Sequence, residues 1–112
     1  MNTQLKSPLK VGIGGLGAIG LALARRLDKG IDGLTLTAVS ARDKDAARLR
    51  LSGLRQQVPV MALSELAPVS DVVVECAPAA VFNQVAEPVV RLGKVLIPVS
   101  VGGLLANWYL VE

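Results

Sequence analysis

The chain has 112 residues, which is enough for one domain with its own core and too few for two ordinary domains. Hydrophobic residues make up 52% of it and aromatic residues only 3%, a balance that is typical of a parallel sheet between helices and disfavours an all-β sandwich. The net charge of +3 raises a nucleic-acid hypothesis, but one Phe, one Trp and one Tyr cannot form a base-stacking surface, so we expect no nucleic-acid partner.

The cysteine and histidine content and the hydropathy of the chain limit its cellular compartment and the chemistry that it can perform. A single cysteine, Cys76, excludes an internal disulfide, and residues 1–10 lack the apolar core of a secretory signal. The longest uncharged stretch, residues 95–111, contains proline and glycine and is short for a membrane span. We therefore expect a cytoplasmic protein with no membrane contact. Histidine is absent, and with it the side chain best suited to proton exchange near neutral pH, so we expect no catalytic residue in this chain.

The first predicted element leads into a glycine-rich turn. Residues 10–14 read as a strand, and the segment that follows contains Gly15-x-Gly17-x-x-Gly20 before a helical pattern over residues 18–29. Gly12, Gly14 and Gly17 match the same spacing, but only the register that begins at Gly15 leaves room for a strand. This is the dinucleotide-binding fingerprint: Gly15 permits a tight turn, Gly17 admits a pyrophosphate and Gly20 allows close packing of helix and strand.

Strands and helices alternate through the rest of the chain. Ile19, Leu23 and Leu27 recur every fourth residue and predict the helix stripe that packs on the sheet, with Gly30 as the cap. Pro59 indicates an edge strand, and Pro88 is expected to kink or divide the helix that contains it. The further strands are expected at 34–39, 58–61, 71–77 and 94–99, and the further helices at 43–51, 79–92 and 104–111.

This alternation predicts an α/β protein, a Rossmann-type doubly wound parallel sheet in the order 3-2-1-4-5 that forms one domain over residues 1–112. Ligands of such sheets lie beyond the carboxyl ends of the strands, where the strand order reverses. We therefore expect a pocket between residues 15–19 and residues 76–79. Ser100, Val101 and Gly102 are expected to line its far side.

The end of the second strand should decide between the two nicotinamide cofactors. Ser40 and Arg42 can hold a 2′-phosphate, which favours NADP or the use of both cofactors. NAD stays an alternative because of Asp43: if the end of the second strand is shifted slightly in register, the Asp43 carboxylate reaches the ribose. In the alternative interpretation Asp43 only caps the next helix and Arg42 is solvated.

Glu75 and Cys76, at the end of the fourth strand, are candidates for a role in binding or catalysis. Glu75 ends an apolar strand, so burial requires a partner, which we expect to be backbone of neighbouring loops rather than a cofactor. Cys76 has no neighbour in sequence that would lower its pKa. We interpret it as a small apolar filler rather than a nucleophile.

Four segments together resemble the amino-terminal half of L-aspartate dehydrogenases: the glycine loop, Ala38 to Asp43, Asp71 to Pro78 and Ser100 to Leu105. That family uses NAD or NADP to convert L-aspartate, by way of iminoaspartate, to oxaloacetate and ammonia in connection with NAD biosynthesis. The resemblance implies that the pyrophosphate contacts Gly15, Leu16, Gly17, Ala18 and Ile19. It also implies that Ser40 and Arg42 hold the adenosine ribose, and that Ala77 and Pro78 lie on the nicotinamide side.

Such enzymes continue into an α+β domain that carries the substrate-binding residues and a catalytic histidine. The resemblance therefore implies a cofactor-binding part that is inactive alone, either a truncated piece or a natural half-protein. Two alternatives stay open: a nucleotide-binding or redox-sensing module without catalysis, and, ranked lower, methyl transfer from S-adenosylmethionine. The apolar tail, residues 104–111, would be covered by the further domain, so we expect a homo-oligomer that forms through it.

Overall fold

Five parallel strands and three α-helices alternate through residues 7–99, the part of the chain that a computed structural model describes. The strand order is β3-β2-β1-β4-β5, and every neighbouring pair is parallel, as predicted. The strands are β1 (Leu9–Gly14), β2 (Leu34–Ser40), β3 (Val60–Met61), β4 (Val72–Glu75) and β5 (Val95–Pro98). The helices are α1 (Ala18–Lys29), α2 (Lys44–Arg50) and α3 (Phe82–Arg91), with 3-10 turns at Leu63–Glu65, Ala67–Val69 and Ala79–Val81.

Hydrophobic cores cover both faces of the sheet. On one face Val11 and Ile13 of β1 pack with side chains of α1 and α2. On the other face Val73 of β4 packs with Val85 and Val89 of α3. Because β1 and β4 lie in the middle of the sheet and are covered on both sides, their sequences are continuous apolar runs rather than alternating ones.

Helix α1 packs on the sheet through small residues. Its buried positions are Gly20, Ala24 and Leu27, whereas Ile19 is 60% exposed and Leu23 is only half-buried. The predicted stripe of Ile19, Leu23 and Leu27 is therefore wrong by one residue at its start. Hydropathy gives glycine and alanine little weight, but these are the residues that allow a helix to approach a strand closely. The predicted cap at Gly30 is confirmed, with φ 113°.

Two prolines end up in different surroundings. Strand β3 lies at an edge as predicted, but it is only two residues long and Pro59 precedes it, where the Pro59 carbonyl accepts the Val39 N–H at 3.1 Å. Helix α3 runs on through Pro88, so the expected division there is wrong. Burial of Phe82, Val85 and the other apolar positions of α3 offsets the lost backbone hydrogen bond. The predicted helix at 104–111 lies outside the described residues.

Candidate functional site

The turn after β1 is held between the ends of two neighbouring strands. The N–H of Gly15 donates to the Ser40 carbonyl at the end of β2 (2.9 Å), and the N–H of Cys76 donates to the Gly14 carbonyl (2.8 Å). Gly15 has φ 105°, and a Cβ there would lie 2.8 Å from backbone atoms of Ala77. Only glycine fits this position, since it meets both the positive φ and the close approach of the chain after β4.

The next two glycines of the motif have opposite surroundings. A Cβ on Gly20 would overlap the carbonyl oxygen of Gly15, so α1 starts as close to the turn as backbone allows. A Cβ on Gly17 would meet nothing within 4 Å. Gly12 and Gly14 lie inside β1. The structure therefore agrees with the register that begins at Gly15, with a close packing position at Gly20 and open space at Gly17.

The amino end of α1 opens onto that space. Gly17 is the N-cap residue and offers no side chain to the first backbone N–H groups, and the first turn contains no acidic residue. These N–H groups, together with the positive end of the helix dipole, favour an anion. In dinucleotide-binding folds, a helix that begins at such a glycine turn binds the pyrophosphate of the cofactor with these N–H groups, and α1 has twelve residues and begins in this way.

A cavity of about 550 Å³ lies beside the glycine turn, at the carboxyl ends of β1, β2 and β4. Its position agrees with the predicted pocket between the first and fourth strands. The lining residues are Gly15, Leu16, Gly17, Ala41, Arg42, Asp43, Ala46, Ala47, Arg50, Cys76, Ala77 and Pro78. Another cavity, of about 470 Å³, lies between α3 and the turn at Leu63–Glu65, away from the glycine turn.

The structure brings together most of the predicted site residues, but not all of them. Ala18 and Ile19 are exposed and do not line the cavity. The side chain of Ser40 is 1% exposed and lies beneath the cavity, so Ser40 supports the glycine turn through its carbonyl. Ser100, Val101 and Gly102 lie outside the described residues.

The two charged residues that follow β2 have separate surroundings. The carboxylate of Asp43 accepts the N–H of Ala46 at 3.0 Å and caps α2, as the alternative interpretation expected. Arg42 is exposed at the cavity wall. Both residues line the cavity: one oxygen of Asp43 is bound to its own helix, and the side chain of Arg42 is exposed to a ligand there.

Sequence reasoning did not select Arg50 as a site residue. Arg50 belongs to the last turn of α2, and its Nη1 donates to the carbonyl oxygen of Leu16 in the glycine turn at 3.1 Å. It also lines the cavity. The sequence signal was the group of arginines between residues 42 and 55, but 34 residues of chain separate Arg50 from Leu16, so their contact follows only from the fold.

Glu75 and Cys76 lie next to each other at the end of β4, and of the two Cys76 lines the cavity. Glu75 is fully buried, and its Oε1 accepts the N–H of Val99 at 3.2 Å, as expected of a carboxyl held by neighbouring backbone. Burial, and next the charge of Glu75, raise the pKa of the Cys76 thiol. A thiol with a raised pKa is a weak nucleophile at neutral pH, in agreement with the interpretation of Cys76 as a filler.

Residues 7–99 contain no group of three or more histidine, cysteine or acidic side chains placed to hold a metal ion. None of the three α-helices in that range is long and apolar enough to cross a membrane.

The chain matches the family model described as homoserine dehydrogenase, NAD binding domain, over residues 15–110. It is 46% identical over 106 residues to L-aspartate dehydrogenase of Bradyrhizobium diazoefficiens, an alignment that covers 95% of this chain and 38% of that enzyme. It is 48% identical over 101 residues to L-aspartate dehydrogenase 3 of Bordetella bronchiseptica, covering 89% of this chain and 37% of that enzyme. The chain thus spans little more than a third of the length of these relatives.

Solved structures of dehydrogenases share the fold. Scyllo-inositol dehydrogenase from Lactobacillus casei, with bound NAD(H) and scyllo-inositol, superposes with a TM-score of 0.74 at 17% identity over 94% of this chain and 33% of that one. A probable dehydrogenase from Thermotoga maritima has a TM-score of 0.69 at 25% identity, over 80% of this chain and 27% of that one. At such identities the likeness concerns the architecture and not the substrate.

Proposed function

We propose, from the premise that this chain belongs to the family of the homoserine dehydrogenase NAD-binding domain, that it is the cofactor-binding domain of an L-aspartate dehydrogenase. The chain is an NAD(P)-binding oxidoreductase domain with a Rossmann-type fold. The observation that carries the proposal is the cradle at Gly17, where the motif glycine faces open space at the start of α1 while Gly15 and Gly20 are packed against backbone.

The cradle fits a dinucleotide on its own geometry. The open side of Gly17 and the uncapped N–H groups of α1 are placed to bind a pyrophosphate, whose two negative charges suit that helix end. The adenosine ribose would then lie toward Arg42 after β2, and the nicotinamide toward Ala77 and Pro78 after β4. A bound nicotinamide would accept the hydride from the Cα of L-aspartate while the amino group loses a proton, and water would then hydrolyse the resulting iminoaspartate to oxaloacetate and ammonia.

The described residues bind and orient the cofactor, but those beside the nicotinamide at the end of β4 supply no acid or base for that chemistry. The thiol of Cys76 has a raised pKa, and Glu75 is fully buried under the strand ends. Residues that bind aspartate and transfer its proton belong, in this proposal, to the part of the relatives that this chain does not span. The chain alone should therefore bind NAD(P) without oxidising aspartate.

A fluorescence titration with NADH and NADPH tests the binding step. Gly17→Val should weaken both cofactors at least tenfold, because its side chain occupies the open space beside the helix start. Gly53→Val is the matched control, since Gly53 has equally open surroundings but lies away from this cavity. Binding by the Gly17→Val variant as tight as that of the unchanged chain would contradict the proposal.

A chimera tests the reaction. Joining this chain to the remaining part of the Bradyrhizobium diazoefficiens enzyme should give a protein that forms NADH or NADPH from L-aspartate, and the same chimera with Gly17→Val should not. A folded chimera that binds cofactor but forms no reduced cofactor from aspartate would refute the assignment to this family of enzymes.

Self-association through residues 104–111 is part of the proposal. Leu104, Leu105, Trp108, Leu110 and Val111 make this tail apolar, and a further domain or a second copy would remove them from water. Light scattering should show a dimer or larger assembly at high concentration, and Leu104→Ser with Leu110→Ser should shift it toward monomer. A monomeric unchanged chain would contradict this part.

A further inference from the structure

Arg50 connects helix α2 to the glycine turn. Its guanidinium donates one hydrogen bond to the Leu16 carbonyl (3.1 Å) while it lines the same cavity as Arg42. A guanidinium carries five N–H donors, and this contact uses one of them. Several donors of Arg50 therefore remain for a ligand in the cavity.

The two cavity arginines lack a negative partner within residues 7–99. Asp43 is the acidic residue of the cavity lining, and its carboxylate is bound to the Ala46 N–H of its own helix. The acid on the outer face of α2, Asp45, pairs with Arg48 at 3.1 Å. No ion pair within the described residues involves Arg42 or Arg50, and two arginines against the one carboxylate of Asp43 leave the cavity lining with a net positive charge.

The positions of Arg42 and Arg50 in the fold indicate which part of a dinucleotide their charges would contact. Arg42 follows β2 and Arg50 belongs to α2, the side on which a dinucleotide in this fold places its adenosine ribose. The guanidinium of Arg50 reaches from there to Leu16 of the glycine turn, beside the start of α1 where the pyrophosphate would lie. A ribose diol needs an acceptor such as a carboxylate, and the carboxylate of the cavity lining, that of Asp43, already accepts the Ala46 N–H with one of its oxygens. A phosphomonoester on the ribose 2′-oxygen needs planar cationic donors, which guanidinium groups provide.

We propose that Arg50 acts together with Arg42 as a 2′-phosphate subsite and thereby makes NADP the preferred cofactor. This inference rests on the proposed function. Arg50 has two effects in it: the bond to Leu16 holds the glycine turn for either cofactor, and the remaining donors hold the phosphate that NADP alone carries.

The test measures the affinities of NADPH and NADH for the unchanged chain and for Arg50→Gln and Arg50→Lys. Arg50→Gln removes charge-assisted bonds to the phosphate, so it should weaken NADPH roughly tenfold to hundredfold and NADH less than about threefold. Arg50→Lys should recover part of the NADPH affinity, because it restores the charge without the fork of donors. Arg48→Gln, on the same helix but paired with Asp45, is the control and should change neither affinity more than twofold.

Each outcome decides between explanations. Equal weakening of both cofactors by Arg50→Gln would overturn the phosphate role and leave Arg50 as a positioning residue for the turn. No change for either cofactor would overturn both effects. If Arg50→Gln does not fold, competition by adenosine 2′,5′-diphosphate and by ADP against the unchanged chain decides: the first should bind at least tenfold tighter, and equal affinities would overturn the inference. Failure of NADPH and NADH alike to bind the unchanged chain would instead refute the proposed function.

Discussion

Replacing Gly20 with alanine places a methyl group where the carbonyl oxygen of Gly15 already lies. The same Cβ would be 3.2 Å from the carbonyl carbon of Gly15 and 3.3 Å from a methyl group of Ile13. Because the closest obstacle is backbone, no side-chain rotation relieves the overlap. Helix α1 must shift away from the turn, and the proposed pyrophosphate site at its amino end shifts with it.

Helix propensity alone predicts the opposite result. Gly20 is the third residue of α1, and Gly→Ala inside a helix gains up to about 1 kcal/mol. Overpacking a tight contact costs roughly 1–3 kcal/mol. We expect a net loss of about 1–2 kcal/mol in the free energy of unfolding, which corresponds to a fall of roughly 5–15 °C in Tm for a chain of this size.

Thermal unfolding followed by circular dichroism measures this loss. Gly53→Ala is the control for the general effect of Gly→Ala, since a Cβ at Gly53 meets nothing within 4 Å, and its Tm should change little or rise. NADPH affinity of Gly20→Ala should also fall. A Gly20→Ala variant at least as stable as the unchanged chain would refute the argument that backbone contact decides this position.

Three further changes probe other parts of the structure. Gly12→Ala brings a Cβ against the buried Oγ of Ser70, so it should lower the free energy of unfolding by about 1 kcal/mol. The loss should be smaller in a chain that already carries Ser70→Ala, because the Oγ is then absent. A double-mutant cycle in urea that shows no coupling between the two positions would contradict this. Backbone N–H groups, first that of Arg55, hold the pKa of Asp28 below its ordinary value. The hydrogen bonds to the Asp28 carboxylate therefore stabilise the fold at pH values above the ordinary pKa, and this stabilisation is lost as pH falls through the lowered pKa. Asp28→Asn should lower the free energy of unfolding in urea titrations at pH 7 and should change it little at about pH 2. Equal losses at both pH values would argue against it. The raised pKa of Cys76 should make its alkylation by iodoacetamide slow at pH 7, with further slowing by NADPH because the thiol lines the cavity; fast alkylation unaffected by cofactor would contradict the site.

The sheet could be predicted from the sequence because the residue types within each strand are enough to identify it as a strand. The apolar run at Val72–Glu75 and the β-branched run at Leu34–Ser40 are strands in any context that buries them, and alternation with helices then determines a parallel order. The stripe of α1 could not be found the same way. Its sheet side begins at Gly20, whose lack of a side chain is the feature that matters and is also invisible to hydropathy.

The conformation of the glycine turn could be predicted from the sequence because a backbone conformation determines the residue type there. The turn at Gly15 needs positive φ and close backbone approach, which a sequence motif records directly. Predictions from position along the chain were weaker. Ser40 was selected because it stands at the end of the second strand, but the structure buries it. Arg50 reaches the site only because α2 folds back beside the glycine turn.

The central claim is that the N–H groups at the start of α1 bind the pyrophosphate of a nicotinamide dinucleotide. The most direct measurement follows the backbone amide resonances of the ¹⁵N-labelled chain by NMR during titration with NADPH. The account predicts that the largest saturable shifts belong to residues 16–19, with smaller shifts at 42 and at 77. Saturable binding whose largest shifts belong instead to residues 62–64 and 83–88, around the other cavity, would contradict it.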